Sequence, residues 1–345
     1  MLVWILLIVY LFGLRGLLGK LDGRGRQRKY LIAAGIGCFL VMGLRFPYYA
    51  VAKDLQTYVA FYELAGKTPW SVVFTISEFE YGYVALNKLL ALVVPWGQFI
   101  VIVEAAICVF AVGRYIYLNS EYPFEAMLYY VTLGTMSFQL TGFRQAIAIS
   151  VCLLSIESAK RRRPLCFALL VGLATLFHRT AIVFAIMYFF LNRDLDFLNS
   201  VRGIVLVLVG SLAGGFLTVL GNSLFGTDYW GTRGNQYGGV VPAIIFALTI
   251  ALAFWHRRRI KNHQSVNMTT VGLAIYLMRY VTHTIQRIAF YFTPGVIVAL
   301  PEAVRAVEDR HLVAALQVLS LSGAVGLFVY RLTTSEWAAY RFFWQ

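Results

Sequence analysis

Apolar runs of about 20 residues recur almost from end to end of this chain, and they constrain its fold more than any other feature. Residues 97–117 and 312–331 are clear examples. A helix of that length crosses the hydrocarbon core of a bilayer, where a helix satisfies its own backbone hydrogen bonds. The sequence therefore predicts an all-α fold, a polytopic transmembrane helical bundle.

The composition excludes an ordinary soluble domain. Only 13% of the residues are charged and 60% are hydrophobic, whereas soluble domains carry about 25% charged residues. The net charge of +14 comes from basic residues that cluster between apolar runs, so it indicates membrane topology and not nucleic-acid binding. Residues 1–18 are predicted to be a span and not a signal peptide, because the basic residues follow the apolar run.

Short basic clusters predict which side of the membrane each loop faces, because loops rich in Lys and Arg stay in the cytoplasm. An even number of spans should therefore separate any two of them. The clusters are Lys20 with Arg24, Arg26, Arg28 and Lys29; Lys160 to Arg163; and Arg257 to Arg259 with Lys261.

This parity predicts about 12 spans, with both termini outside, in a single integral membrane domain over residues 1–345. External loops are expected at about 47–96 and 221–239, and residues 82–94 are expected to form a helix at the outer interface. Runs 164–177 and 180–191 are short and should form a hairpin with His178 and Arg179 at its outward tip. The other spans are predicted at 1–18, 30–46, 97–117, 124–141, 143–158, 202–221, 239–256, 267–283, 285–304 and 312–331.

The stretch from Leu44 to Tyr83 is unusually polar for this chain and carries Asp54, Glu63, Glu78 and Glu80. Asp54 and Glu80 stand among aromatic residues, as a sugar-handling surface would, and either could act as a general base. Glu63 and Glu78 are interpreted as solvated loop acids. Aromatic residues that could contact a sugar are Tyr58, Tyr81, Tyr83 and, in the Gly-rich second loop, Trp230; the alternative for that loop is an ordinary connector with interfacial aromatics.

Cationic side chains at membrane depth cost on the order of 3 kcal/mol on insertion scales and usually mark a function. Arginine matches phosphate oxygens with two parallel hydrogen bonds, which favours a lipid-linked diphosphate as the ligand. The alternatives are snorkelling to headgroups or a structural pairing with an external carboxylate, and for His178 a place in the core. The candidate diphosphate- and substrate-binding residues are Arg45, Arg144, Gln145, His178, Arg179, Arg279 and Arg287.

Several short motifs follow one another along nearly the whole chain. They are Gly43-Leu44-Arg45; Asp54 with Tyr58; Glu80-Tyr81-Gly82-Tyr83 with Leu86-Asn87; Phe143-Arg144-Gln145-Ala146-Ile147-Ala148; Phe177-His178; Arg287-Ile288-Ala289 with Tyr291-Phe292; and Trp337 to Phe342. In this order they resemble the EpsG family of Wzy-like polymerases of bacterial exopolysaccharide, capsule and O-antigen. One departure is Ala52-Lys53-Asp54, where the family often has a small residue before the acid, and it leaves the base open between Asp54 and Glu80.

The resemblance implies a GT-C-type membrane glycosyltransferase in the bacterial cytoplasmic (inner) membrane, with its active site facing the periplasm or cell exterior. It would transfer a glycan from undecaprenyl diphosphate to a lipid-linked repeat unit, beside a flippase and a chain-length regulator of the same pathway. No cofactor is expected; Mg²⁺ or Mn²⁺ is possible but not favoured, because several cations already meet the diphosphate.

Other functions use similar residues. A ligase or a single-sugar transferase would share the chemistry, and a flippase would share the arginine-lined cavity but open to both faces. A membrane acyltransferase would need a nucleophile or a His-Asp pair, and His178 has no acid beside it in sequence.

Overall fold

The computed structural model describes residues 1–47, 53–196, 205, 209, 240–277, 285–334 and 339–345. Most of these residues are helical and none belongs to a strand, which confirms the predicted all-α class for the described ranges. The first helices are α1 (Leu2–Leu18), α2 (Arg24–Gly43), α3 (Lys53–Lys67), α4 (Trp70–Val73), α5 (Tyr81–Val93), α6 (Gln98–Asn119), α7 (Pro123–Thr132), α8 (Thr135–Gln139), α9 (Phe143–Lys160) and α10 (Pro164–Thr175). Then follow a 3-10 helix (Arg179–Ile186), α11 (Met187–Phe190), α12 (Val241–Trp255), a 3-10 turn (Arg257–Arg259), α13 (His263–Leu277), α14 (Ile285–Ala289), α15 (Pro294–Arg305) and α16 (Arg310–Thr334).

The chain forms two compact units. The first contains Met1–Glu157, Leu165–Ile182 and Ser320–Gln345, and the second contains Ser158–Pro164 and Val183–Leu319. The single integral domain and the count of about 12 spans stay predictions. Two described helices, α6 and α16, are long and apolar enough to cross a membrane, and α1, α5, α10, α12 and the run Arg179–Phe190 are shorter apolar helices.

Helices α2 and α6 form the antiparallel spine of the first unit. Arg24 near the start of α2 donates a hydrogen bond to the carbonyl oxygen of Tyr117, near the end of α6. At the other end of the pair, the side-chain amide of Gln98 donates to the carbonyl oxygen of Gly43 at 2.7 Å. The start of α2 therefore lies beside the end of α6, and α2 ends where α6 begins.

Helix α5 buries two polar side chains and exposes several apolar ones. Its polar residues Asn87 and Lys88 are buried, and the Lys88 ammonium group donates to the carbonyl oxygen of Gly66 in α3 at 3.1 Å. Its outer face carries the exposed apolar residues Leu89, Leu92 and Val93. The helix spans roughly 20 Å at 1.5 Å per residue, which is short for a bilayer core of about 30 Å. A helix is therefore observed where one was predicted at 82–94, and its location at the outer interface stays a prediction.

Two predicted spans are interrupted. The span expected at 124–141 ends its first helix at Thr132 and restarts at Thr135, because Gly134 adopts a left-handed conformation with φ of 101°. The span expected at 285–304 is divided between α14 and α15, and Pro294 stands at the start of α15. Proline is well tolerated at the first position of a helix but cannot continue one that precedes it.

The second unit contains a core of small residues from α12, α13 and α15, including Ala253, Val266 and Ala299. Gly295 permits this packing, because a Cβ atom there would lie 2.9 Å from the Thr269 backbone nitrogen. This approach brings α13 and α15 together inside the unit.

Candidate functional site

Glu80 and Arg144 form an ion pair between residues that lie far apart in sequence. A guanidinium nitrogen of Arg144 donates to one carboxylate oxygen of Glu80 at 2.5 Å, and the other oxygen accepts the backbone N–H of Arg179 at 3.2 Å. The side chain of Arg144 is 24% exposed and that of Glu80 is 9% exposed. Three segments of the first unit thus meet at the Glu80 carboxylate: the start of α5, the start of α9 and the turn after α10.

The backbone around Glu80 explains why these segments meet. Glu80 stands immediately before α5, and its carbonyl oxygen accepts the first helical N–H groups, from Tyr83 at 2.9 Å and Val84 at 3.0 Å. The Gly82 N–H donates to the carbonyl oxygen of Leu176 at 2.8 Å. A Cβ atom at position 82 would lie 2.7 Å from that oxygen, so only glycine permits this approach.

Aromatic side chains fix the Arg144 guanidinium group. It lies 4.6 Å from the ring centre of Phe79 and also hydrogen-bonds the Tyr58 side chain. Tyr58 in turn stacks on Phe143, with ring centres 5.2 Å apart and planes at 7°. Contacts of a cation with ring faces are favourable, and here they hold the planar guanidinium group of Arg144 in one orientation. Arg144 therefore presents a positioned, partly exposed cation.

A pocket of about 230 Å³ opens beside the ion pair. Glu80 lines it together with the exposed side chains of Glu78, Tyr81 and Arg179. One wall comes from the segment before α5 and the other from the end of α10. The pocket thus combines a buried carboxylate with an exposed guanidinium group, and such a pair can accept a proton and bind an anion.

The predicted sugar-contacting residues separate into two groups. Tyr81 is 69% exposed and lines the pocket, as that prediction requires. Tyr58 and Tyr83 are buried among aromatic rings instead. Burial raises the pKa of the Tyr83 phenol well above its usual value, so this hydroxyl stays protonated and is no base at neutral pH. Trp230 lies outside the described residues.

Asp54 and His178 lie near this region of the chain but do not line the pocket. Asp54 is exposed in the first turn of α3. His178 lies in the turn between α10 and the 3-10 helix, where the hairpin tip was predicted, and its Nδ1 lies 2.7 Å from the Thr180 hydroxyl. Gln145 is buried beside Arg144. Their predicted roles in substrate binding or catalysis stay predictions.

Arg45 has partners that sequence reasoning did not find. Its guanidinium group lies 3.9 Å from the carboxylate of Glu104, which is fully buried in α6. It also donates to the carbonyl oxygens of Leu140, at 2.8 Å, and of Met42. An acid in the middle of an apolar run was the available signal, because a buried carboxylate needs a cationic partner. The observed partner of Arg45 is therefore a buried carboxylate of α6 and not the external one that the alternative names, and the diphosphate-binding role of Arg45 stays a prediction.

Arg144 and Arg45 flank one aromatic layer. The Arg45 guanidinium group lies 5.3 Å from the ring centre of Phe143, whose ring stacks on Tyr58. Arg45 therefore contacts the Arg144 site indirectly, through the rings of Phe143 and Tyr58.

The remaining predicted cations belong elsewhere. Arg287 is exposed on α14 in the second unit, and Arg279 lies outside the described residues. Their predicted convergence with Arg144 stays a prediction. Within the described ranges, the His, Cys, Asp and Glu side chains form no group of three or more that could hold a metal ion.

A family model described as the EpsG family matches residues 30–342 of the chain. The match includes every residue that lines the pocket and the Arg45, Glu80 and Arg144 motifs that carry the resemblance in the sequence. Comparison with curated proteins and with solved structures found no match.

Proposed function

The chain belongs to the EpsG family, and from this membership we propose that it is a membrane glycosyltransferase that polymerises a bacterial surface polysaccharide. The family and the apolar helices together indicate a membrane protein of polysaccharide biosynthesis. In the proposal, the donor is a glycan on undecaprenyl diphosphate and the acceptor is a lipid-linked repeat unit. The site faces the outside of the cytoplasmic membrane, where a flippase supplies the repeat units and a chain-length regulator limits the product.

The Glu80–Arg144 ion pair carries the proposal: Glu80 lines the pocket, and Arg144 lies directly behind it, in contact with the Glu80 carboxylate. Transfer from a diphosphate needs a cation that meets the negative charge of the leaving group and a base that takes the proton of the acceptor hydroxyl. Arg144 and the exposed Arg179 supply the first requirement, and Glu80 supplies the second. The exposed ring of Tyr81 offers a surface on which a sugar can stack.

The proposed reaction is a single displacement at the anomeric carbon. The donor diphosphate competes with Glu80 for the Arg144 guanidinium group, which leaves a carboxylate oxygen of Glu80 available to the acceptor. The acceptor oxygen then forms a bond to the anomeric carbon while the bond from that carbon to the diphosphate oxygen breaks. The proton of the acceptor hydroxyl passes to Glu80, and the electron pair leaves with the diphosphate beside Arg144.

Asp54 is the competing candidate for the base. Its exposure at the start of α3 allows contact with substrate, but Glu80 is favoured because Glu80 lines the pocket and Asp54 does not. The chain needs no metal in this proposal, since arginine side chains meet the diphosphate charge.

The test is incubation of the purified protein with its lipid-linked repeat unit, with and without chelator, followed by separation of products by length. We expect wild-type protein, Asp54→Asn and the control Glu63→Gln to form polymer, and Glu80→Gln to form none. Glu63 is an exposed acid of α3 outside the pocket, so it controls for loss of charge. Polymer from Glu80→Gln but not from Asp54→Asn would move the base to Asp54. Products longer by a single unit would indicate a ligase or single-sugar transferase instead.

A further inference from the structure

A groove of about 640 Å³ runs between α2 and α6 in the first unit. Its walls are apolar and include Leu31, Ile32, Ile36, Phe39, Val109 and Phe110. Ile32, Ile36 and Phe110 are 55%, 52% and 63% exposed. Such a continuous exposed apolar surface suits contact with a hydrocarbon chain.

The groove is basic at one end only. Arg28 and Arg114 both line it, and the antiparallel arrangement of α2 and α6 brings them to the same end. Arg24 stands beside them, with its guanidinium group 5.3 Å from the ring centre of Tyr117, which also lines the groove. The unpaired N–H groups at the start of α2 add positive potential there.

Arg28 and Arg114 are available to a ligand. Both side chains are exposed, and neither forms an ion pair with a carboxylate of the described residues. Their end of the groove is remote from the candidate active site, because Arg28 and Arg45 are separated by roughly 25 Å along α2 at 1.5 Å per residue. The groove is therefore a site distinct from the pocket at Glu80.

We propose that this groove binds an anionic phospholipid of the cytoplasmic leaflet, with its phosphate between Arg28 and Arg114 and an acyl chain along the apolar walls. Basic pockets between transmembrane helices at the cytoplasmic side bind acidic phospholipid headgroups. Guanidinium groups pair with phosphate oxygens through charge-assisted hydrogen bonds. The basic cluster that contains Arg28 is one of the three that the sequence predicts to lie in the cytoplasm. A phospholipid is therefore the assigned occupant of the groove. The prenyl diphosphate is assigned instead to the proposed active site at Glu80 and Arg144.

Thermal unfolding of the purified protein in neutral detergent, titrated with phosphatidylglycerol or phosphatidylcholine, tests the headgroup contact. We expect phosphatidylglycerol alone to raise Tm, and Arg28→Ala/Arg114→Ala to weaken its apparent affinity by about thirtyfold. The control is Arg26→Ala/Lys29→Ala, which removes two positive charges from the cluster that contains Arg28, at positions outside the groove. Equal effects of the two lipids, or an equal loss in the control, would overturn the assignment.

A second variant tests the acyl-chain contact without removing charge. A Cβ atom at Gly113 meets nothing within 4 Å, so Gly113→Leu should fill the groove and leave the packing of α6 intact. We expect it to unfold at or above the wild-type Tm without lipid and to lose the response to phosphatidylglycerol. Gly172→Leu, at an equally open position on α10, is the control. An unchanged response in Gly113→Leu, or preferential displacement of phosphatidylglycerol by undecaprenyl phosphate, would contradict the proposal. None of these readouts depends on polymerisation.

Discussion

At the scale of single residues, the shape of the Arg144 guanidinium group matters as much as its charge. The group donates to Glu80 and Tyr58 and lies over the ring of Phe79 at the same time. A lysine ammonium group cannot reproduce this planar fork. A lysine at position 144 would therefore keep the positive charge but lose the positioned planar donors.

For Arg144→Lys we expect about a 100-fold fall in the rate of chain extension, comparable to the loss of one donor to a developing negative charge. Tm in detergent should change little, because the positive charge beside Glu80 is retained. Initial rates with purified lipid-linked repeat units provide the measurement. Extension at the wild-type rate would show that a point charge suffices at position 144.

The buried Arg45–Glu104 pair leads to a stability prediction. Removing one partner leaves an uncompensated buried charge, so Glu104→Gln should lower the free energy of unfolding by about 3–5 kcal/mol. Replacing both groups, as in Arg45→Met/Glu104→Leu, should restore most of that loss, since paired apolar replacements are often neutral. Chemical unfolding in detergent measures both effects.

The same double variant separates two roles for Arg45. If Arg45 acts as a structural support, the double variant should polymerise at a rate near that of the wild type once it is folded. A stable but inactive double variant would restore Arg45 to the diphosphate-binding residues predicted from the sequence.

Sequence reasoning found Arg144 and Glu80 but missed Glu104, and the reason is physical. Arg144 and Glu80 stand at the ends of apolar runs beside aromatic residues, a pattern that is visible along the chain. Glu104 interrupts a single apolar run, and its partner Arg45 lies just beyond the end of α2, far away in the sequence. That pairing depends on the antiparallel register of α2 and α6, which no local pattern contains.

At the scale of helices, the chain is easiest to predict where polarity changes at a boundary. The helix expected at 82–94 is observed at Tyr81–Val93, and the turn expected at Phe177 to Arg179 is observed between α10 and the 3-10 helix. The break between α7 and α8 was not predicted, because Gly134 lies within an apolar run and glycine alone does not end a helix.

The contact between Gly82 and Leu176 gives a prediction for the α5–α10 junction. Gly82→Ala would place a methyl group 2.7 Å from the Leu176 carbonyl oxygen, and such overpacking costs about 1–3 kcal/mol. Because this junction also carries the Arg179 N–H contact to Glu80, we expect a lower Tm and a larger fall in polymerisation. Both are measured on purified protein.

Gly172→Ala is the matched control for Gly82→Ala. It lies within α10, where a Cβ atom meets nothing within 4 Å, and alanine should stabilise this helix by up to about 1 kcal/mol. If Gly82→Ala behaved like Gly172→Ala, the close approach of α5 to α10 would not be needed for the site.

At the scale of the whole molecule, the predicted cations are shared between two units. Arg144 and Arg179 belong to the first and Arg287 to the second. The sequence predicts that all three arginines bind one diphosphate, but it contains no information on how the two units are arranged. All residues that line the pocket belong to the first unit. The convergence of Arg287 with Arg144 stays a prediction.

Arg287→Ala tests that convergence. Because Arg287 is exposed on a short helix, we expect Tm to remain within the error of the wild type while polymerisation falls by about 100-fold, as for loss of one charge-stabilising donor. Arg258→Ala, an exposed cation of the same unit, should retain activity. Full activity of Arg287→Ala would restrict the diphosphate site to the first unit.

The most direct measurement compares donor binding with turnover in two variants of the ion pair. We expect Arg144→Ala to bind undecaprenyl diphosphate at least about tenfold more weakly, because one charge-assisted contact is lost, and to form no polymer. We expect Glu80→Gln to bind the same lipid as tightly as the wild type or more tightly, since a competitor for Arg144 is neutralised, yet to form no polymer. Wild-type affinity in Arg144→Ala, or wild-type polymerisation in Glu80→Gln, would contradict the assignment of the leaving-group cation and the base to these two side chains.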